Sequence, residues 1–190
     1  DMPDFNHENP EVRAEFKKIL SFWLSKGASG FRFDAANHLY DAVKIPVTEK
    51  NGKEKAIAFW NEMTNYVLSV RPDAYMVGEV WDRDGVRVDY MRALPSTFHF
   101  DHGSKIIDIV KNSDAANNAL ALSYFNFSKI AKDANPNCID ALFLTNHDQN
   151  RPALYFKNDP DSIKLAASLY LFLPGIPFVY YGEEIGMNGA

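Results

Sequence analysis

The chain has 190 residues, 46% of them hydrophobic and 24% charged, with 25 acidic against 20 basic side chains and a formal charge of −5. Such a length and apolar content can build one domain with a sizeable core, but the acidic balance leaves no basic excess for the phosphates of nucleic acid or an anionic membrane, so a neutral substrate fits better. No apolar run approaches the roughly 20 residues of a membrane span, and the single cysteine, Cys138, excludes an intrachain disulfide or thiolate zinc cluster and reads as a small core hydrophobe.

Asn9 is placed to cap a helix that Pro10 opens and Gly27 ends, and Val12, Phe16, Ile19, Leu20, Trp23 and Leu24 recur at helical spacing, predicting one buried face. A strand follows at Gly30-Phe31-Arg32-Phe33-Asp34, then a helix over 54–70 and a strand over 75–79. Further on the pattern predicts a strand over 97–100, helices over 104–111 and 115–134, and strands over 140–145 and 176–181. A helix between the last two starts at Asp159-Pro160 and ends before Pro174-Gly175. No repeat, low-complexity run or long linker interrupts this order, so one compact unit is expected. Strands alternating with helices imply a parallel sheet, closed into a barrel or left open.

The polar residues of interest cluster at the C-terminal ends of the strands, where α/β barrels carry their chemistry. Alternation along Gly30–Asp34 puts Arg32 and Asp34 on one face and Phe31 and Phe33 on the other. A guanidinium beside a carboxylate in a poorly solvated interior favours the ionised form that a nucleophile needs. A buried structural ion pair is the competing reading of that strand alone. Glu79 ends the apolar run from Met76, and desolvation there suits a general acid. Trp81 either stacks on a sugar or, as is commoner, caps the core. Asn146-His147-Asp148 adds a third carboxylate and an imidazole, and by itself also reads as a turn cluster. Together, two carboxylates on consecutive strands with hydrogen-bonding groups nearby match retaining glycoside hydrolysis.

These segments resemble glycoside hydrolase family 13, the α-amylase family. Gly30 to His38 is similar to its nucleophile-strand pattern G-x-R-x-D-A-x-x-H, Gly78-Glu79-Val80-Trp81 to its acid/base strand, and Phe143 to Asp148 to the strand bearing N-H-D. Met2-Pro3-Asp4-Phe5-Asn6 resembles an M-P-D-L-N segment of some bacterial members, and Gly175 to Glu183 the last barrel strand. The resemblance implies Asp34 as nucleophile, Glu79 as acid/base, Asp148 as the carboxylate binding sugar hydroxyls, Arg32 orienting Asp34, and His147 and His38 contacting the sugar. Asn37 stands where amylases often carry lysine, while Ala35 and His38 look more like α-1,4-acting than α-1,6-acting members. Arg151 reads as an exposed loop arginine, and Glu183-Glu184 as a structural turn.

A complete barrel needs about 250 residues, so the resemblance implies an α/β chain forming a partial TIM (β/α)8 barrel, approximately strands four to eight with their helices. On this reading residues 1–190 are one partial catalytic domain, without the N-terminal strands or the C-terminal β-sandwich. The opening at Asp1-Met2-Pro3 reads as a lost N-terminal portion. The Asn-His signature of the third strand is missing, and His7 lies in no comparable context and reads as a surface residue. An α-glucan or maltooligosaccharide is the expected substrate. No cofactor is needed for the chemistry, although the His38 carbonyl matches a calcium ligand of many amylases, which implies a structural calcium in the full-length protein. Open barrel edges imply self-association, and the outside of the cell suits a polysaccharide-acting parent.

Overall fold

The structure, a computed structural model, describes residues 5–40, 52–112 and 119–189. Met2-Pro3-Asp4 and the predicted helix start at 115–118 lie outside these residues. The described residues gather into two compact units. The first runs to Trp81 and includes Val86–Thr97, and the second comprises Asp82–Gly85 and the residues from Phe98 onward.

In the first unit, α1 spans Pro10–Ser25, and the Asn9 side chain accepts the Glu11 N–H at 2.9 Å. A cap of this kind is worth about 1 kcal/mol. Strands β1 (Gly30–Phe33), β2 (Tyr75–Gly78) and β3 (Ser96–Thr97) pair in that order, all parallel, with Gly30 opposite Tyr75 and Phe33 opposite Gly78. A 3-10 turn at Ala36–His38 and helix α2 (Gly52–Val70) lie between β1 and β2, and α3 (Asp84–Met91) follows β2. Leu20 and Leu24 of α1 and Phe59, Met63 and Val67 of α2 join Met76 and Leu94 in the core. The predicted buried face of α1 proves narrower. Leu20 and Leu24, one turn apart, are buried, whereas Ile19 and Trp23, one position off that stripe, are 49% and 53% exposed. His7 is buried rather than at the surface. Its ring meets Phe59 at 4.9 Å and Phe16 at 5.6 Å, an aromatic pocket that the surrounding polar sequence conceals.

The second unit carries the parallel pair β4 (Ala141–Leu142) and β5 (Ile176–Pro177), and Phe98 bridges in parallel to Ala141. Around them lie α4 (Phe100–Asn112), α5 (Ala119–Ala134), the short α6 (Pro152–Tyr155) and α7 (Pro160–Leu171). Ile106, Ile107, Val110, Leu142, Ala166 and Tyr170 form its core. Cys138 is buried, as its composition suggested. The ladders are shorter than the sequence predicts. Phe100, read as strand, opens α4 instead, and Gly103 explains how that helix comes so near: a Cβ there would stand 2.6 Å from the Phe143 carbonyl oxygen. Between α4 and the strands His99 is buried, its Nδ1 2.6 Å from Asp140 Oδ2 and its Nε2 3.2 Å from Asp84 Oδ1. Burial, and then the charge of His99 4.7 Å away, push the imidazole of His102 down to about 4. Neither ring nitrogen of His102 has a hydrogen-bond partner among the described residues. No helix among the described residues is long and apolar enough to cross a membrane.

Candidate active site

The end of β1 is built from the alternation of its side chains. Phe31 and Phe33 stack at 6.1 Å and pack on the core side, with Phe33 4.7 Å from Trp60, which leaves Arg32 and Asp34 on the other face. Past the ladder, β1 and β2 stay joined. The Glu79 N–H donates to the Phe33 carbonyl at 2.8 Å, and the Ala36 N–H donates to the Glu79 carbonyl at 2.8 Å. Between them the chain turns through Ala35 in the left-handed region, φ 44° and ψ 43°. That conformation costs a residue with a Cβ roughly 1–2 kcal/mol. The turn aims the Ala35 N–H at the Glu79 side chain, Oε2 at 3.1 Å, while Trp60 holds the next carbonyl through its indole N–H at 2.8 Å.

One guanidinium serves both carboxylates. Arg32 Nη1 bonds Asp34 Oδ1, and Nη2 lies 3.1 Å from Glu79 Oε2. A planar fork of fixed donors imposes this geometry in a way a lysine could not. The surroundings of the two acids differ sharply: the Asp34 side chain is 76% exposed and that of Glu79 11%. Glu79 thus meets the expectation of a desolvated carboxyl. Asp34 does not lie in a poorly solvated interior, because it stands one residue beyond the strand, on the face away from the phenylalanines. Asn37 and His38 follow in the 3-10 turn, where the Asn37 carbonyl accepts from the Tyr90 hydroxyl at 3.3 Å and His38 is exposed. Trp81 is half exposed and does not cap the core, since the chain has already left β2 at Gly78.

Asn146, His147 and Asp148 belong to the second unit. Asn146 starts the loop after β4: its side-chain oxygen accepts the Asp148 N–H at 3.0 Å and its carbonyl accepts the Gln149 N–H at 3.2 Å. His147 Nε2 lies 3.3 Å from Asp148 Oδ2, and both side chains are open to solvent. The structure therefore joins Arg32, Asp34 and Glu79 through one guanidinium, and separately joins Asn146, His147 and Asp148 through one turn. Arg151 contradicts the sequence reading. It is buried, donates to the Tyr181 carbonyl at 2.5 Å, and lies over the rings of Tyr180 and Tyr181 at 4.6 and 4.5 Å. Its only sequence signal was its place three residues after Asp148. Glu183 and Glu184 form a 3-10 turn, as expected. Burial pushes the Glu183 carboxyl up to about 7 against the hydrogen bond from Tyr170, a perturbation that no sequence pattern announces. Among the described residues no three His, Cys, Asp or Glu side chains converge as metal ligands.

The whole chain, residues 1–190, matches the alpha-amylase catalytic-domain family. It is 44% identical over 191 aligned positions to Alpha-amylase 3 of Dictyoglomus thermophilum, covering all of this chain and 36% of that protein. It is 30% identical to the 4-alpha-glucanotransferase of Thermotoga neapolitana, covering 98% of this chain and 38% of that one. The solved alpha-amylase from H. orenii superposes with a TM-score of 0.84 at 36% identity, covering 99% of this chain and 37% of that chain. The chain thus spans little more than a third of the length of these relatives.

Proposed function

Because the chain belongs to the alpha-amylase catalytic-domain family, we propose that it carries the acid/base and nucleophile of a retaining glycoside hydrolase acting on α-1,4-glucosidic bonds of starch or maltodextrins. The observation that carries this reading is the shared guanidinium: Arg32 reaches a buried Glu79 and an exposed Asp34 at one strand edge. Two carboxyls held by one side chain suit the retaining separation of about 5–5.5 Å better than the roughly 6.5–9.5 Å of inverting enzymes. Glu79 protonates the glycosidic oxygen as the bond to the anomeric carbon breaks. Asp34 attacks that carbon, and Glu79 then takes a proton from the water that releases the sugar. Family resemblance gives His147 and Asp148 the binding of sugar hydroxyls, and His38 and Asn37 contacts on the leaving-group side, while the half-exposed Trp81 offers a ring on which a sugar could stack.

On this reading the chain forms approximately strands four to eight of the (β/α)8 barrel; its span of little more than a third of the relatives' length is in keeping with a part of a barrel. Open edges of such a sheet carry unpaired backbone groups and favour self-association. Sedimentation of the 190-residue chain should show dimers or larger species, and a clean monomer with full turnover would overturn the partial-barrel assignment. A second reading, glucan transfer on the same residues, is favoured by the 4-alpha-glucanotransferase relative. The deciding experiment incubates the intact protein with a maltooligosaccharide and follows products by proton NMR. Shorter products released first as the α-anomer support retaining hydrolysis. Longer oligosaccharides without new reducing ends would mark transfer, and β-anomers would exclude retention.

A further inference from the structure

The loop that carries Asp148 is anchored at its start by the Asn146 turn and at its end by the side chain of Arg151. Arg151 is 7% exposed although it belongs to a loop, and its side chain meets the segment after β5 through a hydrogen bond and two ring contacts. Its guanidinium donates to the Tyr181 carbonyl, lies within 4.6 Å of both tyrosine rings, and stands where a Cβ on Gly182 would come within 3.1 Å of Nη1. Gly182 has φ 88°, in the left-handed region that favours glycine, so a side chain there would be strained as well as crowded. The two tyrosine rings meet edge to face at 4.9 Å and form the other jaw. Pro152 follows directly as the first residue of α6, so the chain beyond Arg151 is fixed too. Burial and the neighbouring Tyr181 push the Tyr180 phenol up, Arg151 pulls it down, and the Asp148 carboxylate adds the smallest upward push, so all three side chains meet electrostatically at this ring.

We propose that Arg151 is a positioning residue that clamps the Tyr180–Gly182 segment to the Asn146–Arg151 loop and thereby fixes the orientation of Asp148 toward a bound sugar. Its kinetic consequence rests on the hydrolase reading, whereas the clamp itself does not. A lysine keeps the charge but loses the flat face and the fork of donors, so Arg151→Lys separates clamping from charge, and Arg151→Met removes both.

Two measurements on the intact protein test the proposal. In amide hydrogen exchange, both variants should exchange faster at residues 146–151 and 180–182, with α7 unchanged. Unaltered exchange there overturns the clamp whatever the activity. In kinetics on a maltooligosaccharide, Arg151→Lys should lower kcat/KM by about ten- to a hundredfold, the penalty expected of a group displaced by about 1 Å. Combined with Asp148→Asn it should cost little more than Asp148→Asn alone, because both act through one carboxylate. Full activity of Arg151→Lys, or effects that multiply, would overturn the positioning role. A wild-type protein inactive on every α-glucan, with the exchange result as expected, would instead refute the hydrolase reading and leave the clamp standing.

Discussion

Glu183 offers a test of the second unit's energetics that needs no substrate. Its Oε2 accepts from the Tyr170 hydroxyl at 3.1 Å, and its Oε1 is buried without a hydrogen-bond partner among the described residues. Burial moves the carboxyl from 4.5 to about 7; Tyr170, the Tyr180 backbone and Arg151 oppose the shift, and Glu184 reinforces it. The unfolded chain therefore releases this proton near pH 4.5, whereas the folded chain holds it to about pH 7. Between those values the folded state binds more protons, so stability is fully present below about 4.5 and falls as pH rises to about 7. At about 1.4 kcal/mol per unit the limit is roughly 3 kcal/mol, and partial exposure of the side chain reduces it to about 1–2 kcal/mol. Glu183→Gln keeps the acceptor for Tyr170 and removes the ionisation. Urea unfolding at pH 4.5, 6, 7 and 8 should show variant and wild type alike at the acid end, with the variant more stable by about 1–2 kcal/mol at pH 8. A difference that stays constant with pH, or that favours wild type at pH 8, would refute the argument.

The other expectations concern single side chains. His102→Phe should match or exceed wild-type stability at pH 7, since it replaces a ring whose two nitrogens are buried without hydrogen-bond partners among the described residues. Its advantage should grow by up to about 3 kcal/mol as pH falls from 6.5 to 4, because a folded value near 4 makes the wild type lose stability on acidification; thermal melts in which the advantage shrinks would contradict this. Glu79→Gln and Asp34→Asn in the intact protein should each cut turnover of a maltooligosaccharide by roughly a hundred- to ten-thousandfold while binding persists. Near-normal turnover in either variant would remove that residue from its role.

The sequence was most readable where one local rule sufficed. Asn9-Pro10 and Asp159-Pro160 mark their helix starts because cap and proline act within one turn. The alternation of Gly30–Asp34 separates Arg32 from the phenylalanines because the strand period is two. It failed where tertiary contacts decide. Asp84–Met91 is helical although it is short and opens on Asp84-Gly85, with only Val86 and Tyr90 at helical spacing against the core, and Phe98 to Phe100 alternates like a strand although α4 begins at Phe100. In the candidate site the chemical groups were legible as residue types, Arg32, Asp34, Glu79 and Asn146 to Asp148 among them. What holds them was not. The left-handed turn at Ala35, the buried stacking of Arg151 and the loss of a core role for Trp81 each depend on where a distant segment lies.

The assignment of Asp82–Gly85 to the second unit bears on how far this chain can be dissected. Neither unit is a continuous stretch of sequence, since the chain leaves the first at Asp82, returns at Val86 and departs again at Phe98. A cut between Thr97 and Phe98, where the chain passes from the first unit to the second, takes Asp84 away from His99 and removes one of the two carboxylates beside that buried imidazole. Shuffling or recombination of this protein with its relatives should therefore tolerate crossovers poorly at that junction, and better where residues 82–99 travel together.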